Sequence, residues 1–556
     1  MTERGIIITR TEFFIYSILS GFLLGYGWPT NGDPIYLFIA FIPLLYAENN
    51  FNFSFLYIFL FSFITFLVWN CMSTWWLSYA KRTNGSFALE AYLIPTFFNA
   101  FFMSVIFTFY SYIKNNIKKS KDLGYILLVC LWILFEKVHL EWELSWPWLN
   151  LGNGFSNRIK WIQWYEYTGT LGGSVWIWIV NIGLTKSIIK YEKNKNILSL
   201  YKNILLNIGI ILIVIFISNF IYIKFEHKNY NKYTNVLILQ PNIDPYNQKY
   251  KISTKNIILR LENLINKKIS KKPTIIIAPE TILPGNGNKI LIDNIDKNSI
   301  VSFFKSYLKN KSPKTIFITG AELFTFYKKE KKSETSVPIF FKNSIQWIDF
   351  FNSIIQISSV EKTIFHHKSK LVPGVESFPY KRIIFSILGD ILLNFGGTKV
   401  ELGKQRTPYV FKHPYSKIKI APIICYESVY GEYVSSFFNK NAQLMTIITN
   451  DGWWGNSQGH KQHLYYARLR AIENRKFIAR SANTGVSCFI DEKGKFLSLL
   501  PYGKEGVLYS KIPINNQKTF YVKHGDYIFR ISLLIIVFYF VIFLIYHRYK
   551  NLNFIF

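Results

Sequence analysis

A thiol, a carboxylate and an ammonium stand out because each belongs to a short, distinctive run. Cys425 lies in Ala421-Pro-Ile-Ile-Cys-Tyr-Glu427, Glu280 closes Thr274-Ile-Ile-Ile-Ala-Pro-Glu280, and Lys368 sits in His366-His-Lys-Ser-Lys-Leu-Val-Pro-Gly-Val-Glu376. A thiol becomes a nucleophile when its pKa is lowered or a neighbouring base takes its proton. A carboxylate at a strand end can be that base, and apolar walls would raise its pKa. A fixed ammonium can stabilise the oxyanion of a tetrahedral intermediate. Together these three suggest covalent acyl chemistry. Each residue also has a plainer reading: a free cysteine is commonly buried filler, a glutamate after a strand can be an exposed loop residue, and Lys368 has Lys370 as a nearby competitor. Glu376 is placed to hold the lysine, and Glu427 shares a strand face with Cys425 if that strand continues.

The segment Asn450-Asp-Gly-Trp-Trp-Gly455 predicts a turn after a strand, with Trp453 and Trp454 lining an acyl or headgroup pocket or anchoring at an interface. There is no convincing glycine-rich phosphate loop and no H-E-x-x-H pattern. His460 and His463 are three apart at a helix start, weak evidence for a metal taken alone. The four cysteines, Cys71, Cys130, Cys425 and Cys488, form neither a disulfide framework nor a ligand spacing. No metal and no cofactor are expected.

The elements that must position these residues lie in one water-soluble stretch, 226–526. Strands are expected at 235–240, 274–279, 315–320, 338–349, 420–426, 444–449 and 486–491, with helices at 254–268 and 461–481. Strands alternating with helices argue for an α/β domain. The apolar run 383–395 is short for a span; it is either a core helix or a helix dipping into a leaflet.

Around this stretch the chain is strongly apolar. Among 556 residues, 18% are aromatic, and the mean hydropathy is +0.15. Spans of about 20 apolar residues are expected near 12–28, 34–48, 52–70, 89–113, 123–139, 165–187, 203–224 and 527–546. The first is read as a retained helix, because no small-residue cleavage site is clear. These boundaries imply a membrane domain over 1–225 with about seven helices, an aqueous domain over 226–526, and a final helix with a cytoplasmic tail over 527–556. Lysine-rich segments after the fourth and sixth spans, together with the basic tail, orient that side to the cytoplasm. The aqueous domain then faces outward. The run Trp146-Pro-Trp-Leu-Asn-Leu-Gly152 falls at the outer interface, where an aromatic belt is ordinary. The net charge of +32 comes mostly from scattered lysine, without a basic patch interleaved with aromatics, so nucleic-acid binding is not expected.

Taken in order, these motifs resemble the nitrilase superfamily, which uses a Glu–Lys–Cys triad. More closely they resemble its membrane-embedded branch, the apolipoprotein N-acyltransferases. The matching elements are Ala278-Pro-Glu280, Lys368-x-x-Leu-Val-Pro with Glu376, Ile424-Cys-Tyr-Glu427, Asn450-Asp-x-Trp-x-Gly455 and, in the membrane part, Trp146-Pro-Trp-Leu-x-x-Gly152. The resemblance implies an αββα sandwich inserted into a polytopic helical membrane domain of about eight spans. It implies Glu280 as base, Lys368 as oxyanion stabiliser and Cys425 as nucleophile, with Glu376, Tyr426, Glu427, Asn343, Tyr250 and Trp453 in support. It further implies a ping-pong reaction. An acyl chain passes from a phospholipid to Cys425, then to the α-amine of a diacylglyceryl-modified apolipoprotein. The implied setting is the bacterial inner membrane, with the catalytic domain in the periplasm and a monomeric enzyme. Two departures stand out: Pro373-Gly-Val-Glu376 replaces Pro-Phe-Gly-Glu, and Tyr250 is the nearest aromatic where a tryptophan is usual. Two rivals remain at this level: a membrane-tethered amidase with water as acceptor, and a transporter or assembly factor with a large outer domain. Glu136, Glu166 and Asn181 are the residues a transporter would use within its spans.

Overall fold

A computed structural model describes residues 8–51, 54–82, 85–116, 121–226, 228–269, 271–341, 344–381 and 401–552. Asn343 and the apolar run 383–395 lie outside the described residues. The chain divides into two compact units: one holds Met1–Trp75, Tyr92–Tyr222 and His524–Phe556, the other Trp76–Ala91 and Ile223–Lys523. The second unit thus takes in a segment expected within the membrane domain.

The first unit is helical. Among the described residues, five helices are long and apolar enough to cross a membrane, at Phe55–Tyr79, Glu90–Asn115, Asp122–Glu141, Thr170–Asn194 and Ile197–Glu226, and Tyr527–Ile542 forms a shorter apolar helix. The expected span at 34–48 is instead a 3-10 turn, Pro34–Phe38, followed by a nine-residue helix, Ile42–Asn50. Asn181 satisfies the broken backbone: its side chain accepts from the Phe41 amide at 2.8 Å and donates to the Leu37 carbonyl at 2.8 Å. An unpaired backbone group there would be costly. The expected span at 165–187 starts only at Thr170, because Gly169 takes φ 62° and ends the short helix Tyr165–Thr168.

The tryptophan-rich run is not an interfacial belt. Trp148 and Leu149 are buried in 3-10 turns. Glu136 accepts from the Leu151 amide at 2.8 Å, from Trp132 Nε1 at 3.1 Å and from Ser174 Oγ at 2.7 Å. The polar residues singled out for a transporter therefore include two, Glu136 and Asn181, that are tied into local structure.

The second unit is built on two sheets. The strands are β1 (Tyr233–Gln240), β2 (Thr274–Ile277), β3 (Ile290–Leu291), β4 (Ile316–Tyr327), β5 (Val337–Phe341), β6 (Ser344–Ser358), β7 (Ile364–His367), β8 (Phe411–Lys412), β9 (Lys419–Ile424), β10 (Leu444–Thr449), β11 (Ile478–Ala482), β12 (Ser487–Ile490), β13 (Phe496–Leu500) and β14 (Gly506–Pro513). One sheet runs β14-β1-β2-β4-β6-β5, with β3 on β4 and β7 on β6; the other runs β13-β12-β11-β10-β9-β8. The pairs β1–β2, β2–β4, β9–β10 and β10–β11 are parallel.

Continuous Ile/Val/Leu runs in the central strands suit burial on both faces. Val236, Ile238, Ile275 and Ile277 of one sheet pack with Ile420, Ile424, Leu444 and Ile448 of the other. Helix Thr254–Asn266 covers the outer face of the first sheet through Ile257, Leu261, Leu264 and Ile265, spaced for one helical face. Helices Gly431–Asn439 and Gln458–Asn474 cover the second. The result is the expected αββα sandwich.

Apart from shifted strand ends, two elements differ from expectation. The strand expected at 338–349 is two antiparallel strands, β5 and β6. The helix expected at 461–481 ends at Asn474, where Arg475 turns left-handed at φ 49°, and the chain re-enters the sheet as β11.

Gly152 marks a backbone crossing in the first unit: a Cβ there would lie 1.9 Å from the Thr170 carbonyl oxygen. Neither backbone can yield cheaply, and overpacking typically costs about 1–3 kcal/mol. Gly152→Ala is expected to lower the thermal midpoint of the detergent-solubilised protein by several degrees. An unchanged melting curve would contradict this packing.

Candidate active site

The chain places its reactive groups where strands end. Glu280 follows β2, Lys368 follows β7, Cys425 follows β9 and Asn450 follows β10. Strand ends in α/β folds leave side chains free of the ladder while the sheet keeps them rigid. The turn at Glu280 is tight. Thr281 has φ 47°, and a Cβ on Gly320 would come within 2.6 Å of Glu280 Cα, so only glycine lets β4 pass this closely.

Glu280 and Lys368 meet directly. Lys368 Nζ donates to Glu280 Oε1 at 3.0 Å and to Glu376 Oε1 at 2.9 Å, with 1% of its side chain exposed. Asn352, on β6, donates through Nδ2 to the same two oxygens, each at 2.8 Å, and its carbonyl accepts from the Lys368 amide at 2.8 Å. The Asn450 amide donates to Glu280 Oε2 at 3.1 Å. Glu376 Oε2 accepts from the Val372 amide at 2.9 Å, closing its own loop.

These contacts determine the charges. Burial alone would push Glu280 up, but the Lys368 ammonium and the Asn352 amide hold it below the usual carboxylate range. The raised pKa expected from apolar walls is thus overturned by a cation at hydrogen-bond distance. Burial would strip Lys368 of its proton, yet Glu280 and Glu376 hold it well above an ordinary lysine. Burial and the Glu280 charge push the Cys425 thiol up, against the pull of Lys368. The thiol therefore stays protonated at neutral pH and depends on a base.

Cys425 does not continue its strand. It takes φ 47° and opens the 3-10 turn Cys425–Val429. Glu427 consequently shares no strand face with it. The Glu427 carboxylate is fully buried and accepts from the Ile424 amide at 2.8 Å, the Ser369 amide at 2.6 Å and Tyr433 Oη at 2.8 Å. It ties the cysteine turn to the lysine loop. Tyr426 is buried with its ring 5.3 Å from Tyr430.

A cleft of about 390 Å³ is lined by Glu280, Lys249, Tyr250, Ile282, Leu283 and Asn450, among others. Tyr250 is half exposed at its rim. Lys249 donates to Thr281 Oγ1 at 2.8 Å and lies 5.2 Å from the Tyr250 ring and 5.4 Å from the Trp453 ring. Trp453 also packs edge-on against Tyr246 at 5.2 Å, whose hydroxyl donates to the Trp453 carbonyl. No cluster of three metal-binding side chains occurs among the described residues.

Residues 236–519, just over half of the chain, match the family model "Carbon-nitrogen hydrolase". The chain belongs to the carbon-nitrogen hydrolase family. Residues 20–183 match the "Apolipoprotein N-acyltransferase N-terminal domain". The curated apolipoprotein N-acyltransferase of Chlorobaculum tepidum is 26% identical over 537 residues, covering 94% of each chain. That of Haemophilus influenzae is 25% identical over 536 residues, covering 95% of this chain and 94% of its own. Among solved structures, Saccharomyces cerevisiae Nit3, a member of branch 10 of the nitrilase superfamily, aligns at 15% identity with a TM-score of 0.37 over 51% of this chain and 92% of its own. This carbon-nitrogen hydrolase is a membrane protein, with five long apolar helices among its described residues in addition to the α/β unit.

Sequence reasoning did not single out Asn352. Its signal was present: an asparagine, of low β propensity, beside a serine in the strand-forming run Phe350-Phe-Asn-Ser-Ile-Ile355. Asn352→Ala would remove a donor that favours the Glu280 carboxylate, so Glu280's pKa should rise. The acid limb of Cys425 alkylation, read by peptide mass spectrometry in this carbon-nitrogen hydrolase, is expected to move to higher pH. A limb that stays in place, or moves lower, would contradict that role.

Proposed function

We propose that this carbon-nitrogen hydrolase N-acylates the N-terminal S-diacylglyceryl cysteine of bacterial lipoproteins, with a phospholipid as acyl donor. The observation that carries the reading is the buried Glu280–Lys368–Glu376 cluster beside a thiol that needs a base, in a chain whose full-length relatives are named apolipoprotein N-acyltransferases.

In the first half-reaction Glu280 takes the Cys425 proton as sulfur attacks the donor's ester carbonyl. Lys368 has two N–H groups on carboxylates and offers its third to the oxyanion. Collapse expels the lysophospholipid alkoxide, which takes the proton from Glu280 and leaves a thioester. In the second half the lipoprotein's α-amine attacks that thioester, giving its proton to Glu280. Collapse releases the amide and the Cys425 thiolate, which recovers the proton. Trp453, Tyr250 and Tyr426 are assigned to the walls that receive the chain and its headgroup.

The setting follows from charge. Lysine-rich segments at 114–121 and 186–202 and the basic tail at 547–550 are separated by pairs of long helices, so they share one face however 34–50 is counted. Positive residues favour the cytoplasm, which leaves 226–526 on the periplasmic side of the inner membrane. A monomer suffices, because all the groups named come from one chain. The first domain is assigned to 1–225, the catalytic one to 226–526 and the last helix with its tail to 527–556.

Incubation with phospholipid alone is expected to add an acyl mass to Cys425 that hydroxylamine removes. Glu280→Gln should slow this at least 100-fold, the usual scale for a lost general base. Release of free acid and ammonia from an amide, with no acylated lipopeptide, would point to an amidase instead. Unchanged activity in Cys425→Ser would end the covalent reading. Because Glu280 is held below, and Cys425 and Lys368 above, their ordinary values, the acylation rate should be level from about pH 6 to about pH 9. It should fall only as acid protonates Glu280. A midpoint near neutrality would contradict the assignment.

A further inference from the structure

Beneath Cys425 lies a chain of buried polar groups that the proposed chemistry leaves unused. Ser428 Oγ donates to the Cys425 carbonyl at 2.8 Å and lies 2.9 Å from His463 Nε2, which is itself 3.2 Å from that carbonyl. His463 Nδ1 is 3.0 Å from Asp451 Oδ1. Asp451 Oδ2 accepts from Arg480 at 2.7 Å, and Thr449 Oγ1 donates to Asp451 Oδ1 at 2.7 Å. Arg480 also donates to the Val486 carbonyl at 2.7 Å. None of Ser428, His463, Asp451, Thr449 and Arg480 is more than 1% exposed.

The order serine–histidine–aspartate resembles a hydrolytic triad, but the geometry gives it a different task. The serine hydroxyl is sealed from solvent and faces a carbonyl of the chain, not open space. That carbonyl belongs to the one residue of its turn held at positive φ, 47°. A residue with a Cβ keeps such a conformation only when its surroundings enforce it. The chain of groups also crosses three neighbouring strands: Cys425 follows β9, Asp451 follows β10 and Arg480 lies in the middle of β11. Asp451 adjoins Asn450, whose amide holds Glu280 Oε2.

We propose that Ser428, His463 and Asp451 are positioning residues that clamp the Cys425 carbonyl, hold the left-handed turn presenting the thiol, and set it in register with the Glu280-binding amide. This rests on the reading of Cys425 as acyl carrier. Neither the serine nor the histidine touches the reacting atoms, so their loss should alter the rate of thiol chemistry and leave donor binding alone.

The test uses the full chain in detergent with Ser428→Ala, His463→Leu and His463→Gln. Three quantities are read: acyl-Cys425 formation from phosphatidylethanolamine, alkylation of Cys425 by iodoacetamide resolved by peptide mass spectrometry, and thermal melting. Ser428→Ala and His463→Leu are expected to slow both reactions of the folded protein tenfold or more. The phospholipid concentration giving half-maximal rate should change less than twofold. His463→Gln, which restores a polar atom near the Nε2 position, should recover at least threefold over His463→Leu. Wild-type rates in Ser428→Ala and His463→Leu would overturn the proposal. So would losses that merely track the folded fraction at the assay temperature. If the wild type takes no acyl group from phospholipid, the acyl-carrier reading fails by itself, and the alkylation rates alone decide the positioning role.

Discussion

One ammonium between two carboxylates organises this protein's chemistry. Burial works against the charge on Lys368, and Glu280 and Glu376 more than offset it. In return it keeps Glu280 ionised despite burial. Buried charges are costly unless they are paired and their remaining hydrogen-bonding sites are met. Asn352, the Asn450 amide and the Val372 amide meet those of the carboxylates. The cluster is therefore a rigid, preorganised field, and the thiol beside it needs no lowered pKa of its own.

That solution explains why so much of the surrounding polarity is structural. Glu427 is spent on backbone amides that join the cysteine turn to the lysine loop. Glu136 and Asn181 are used similarly in the helical unit, on the Leu151 and Phe41 amides. Where backbone leaves regular helix in an apolar setting, a side chain must take over its hydrogen bonds. Glu136 and Asn181, two of the three polar residues a transport path would use, are thus repairs to irregular backbone.

The sandwich supplies the placement. Two sheets share an aliphatic core, and their parallel strands deliver Glu280, Cys425 and Asn450 at strand ends. Irregular backbone does the fine aiming: Thr281 and Cys425 are both left-handed, and Gly320 lets the base's turn lie against β4. Strain of this kind persists only in a structure that over-determines it.

Much of this was legible in the chain itself. Apolar runs ending in Glu280 and Cys425, the helix expected at 254–268 and the long hydrophobic stretches depend on neighbours in sequence, and local pattern records them. The sign of the Glu280 shift, the bridging by Asn352, the burial of Trp148 and the break at 34–50 depend on groups far away along the chain. Asn352 is 72 residues from Glu280, and Asn181 is 140 from Phe41. Residue types and their spacing along the chain determined which chemistry was available. Only the tertiary structure decided which charges face one another, because electrostatic and hydrogen-bond energies depend on distances of a few ångströms that no local pattern encodes.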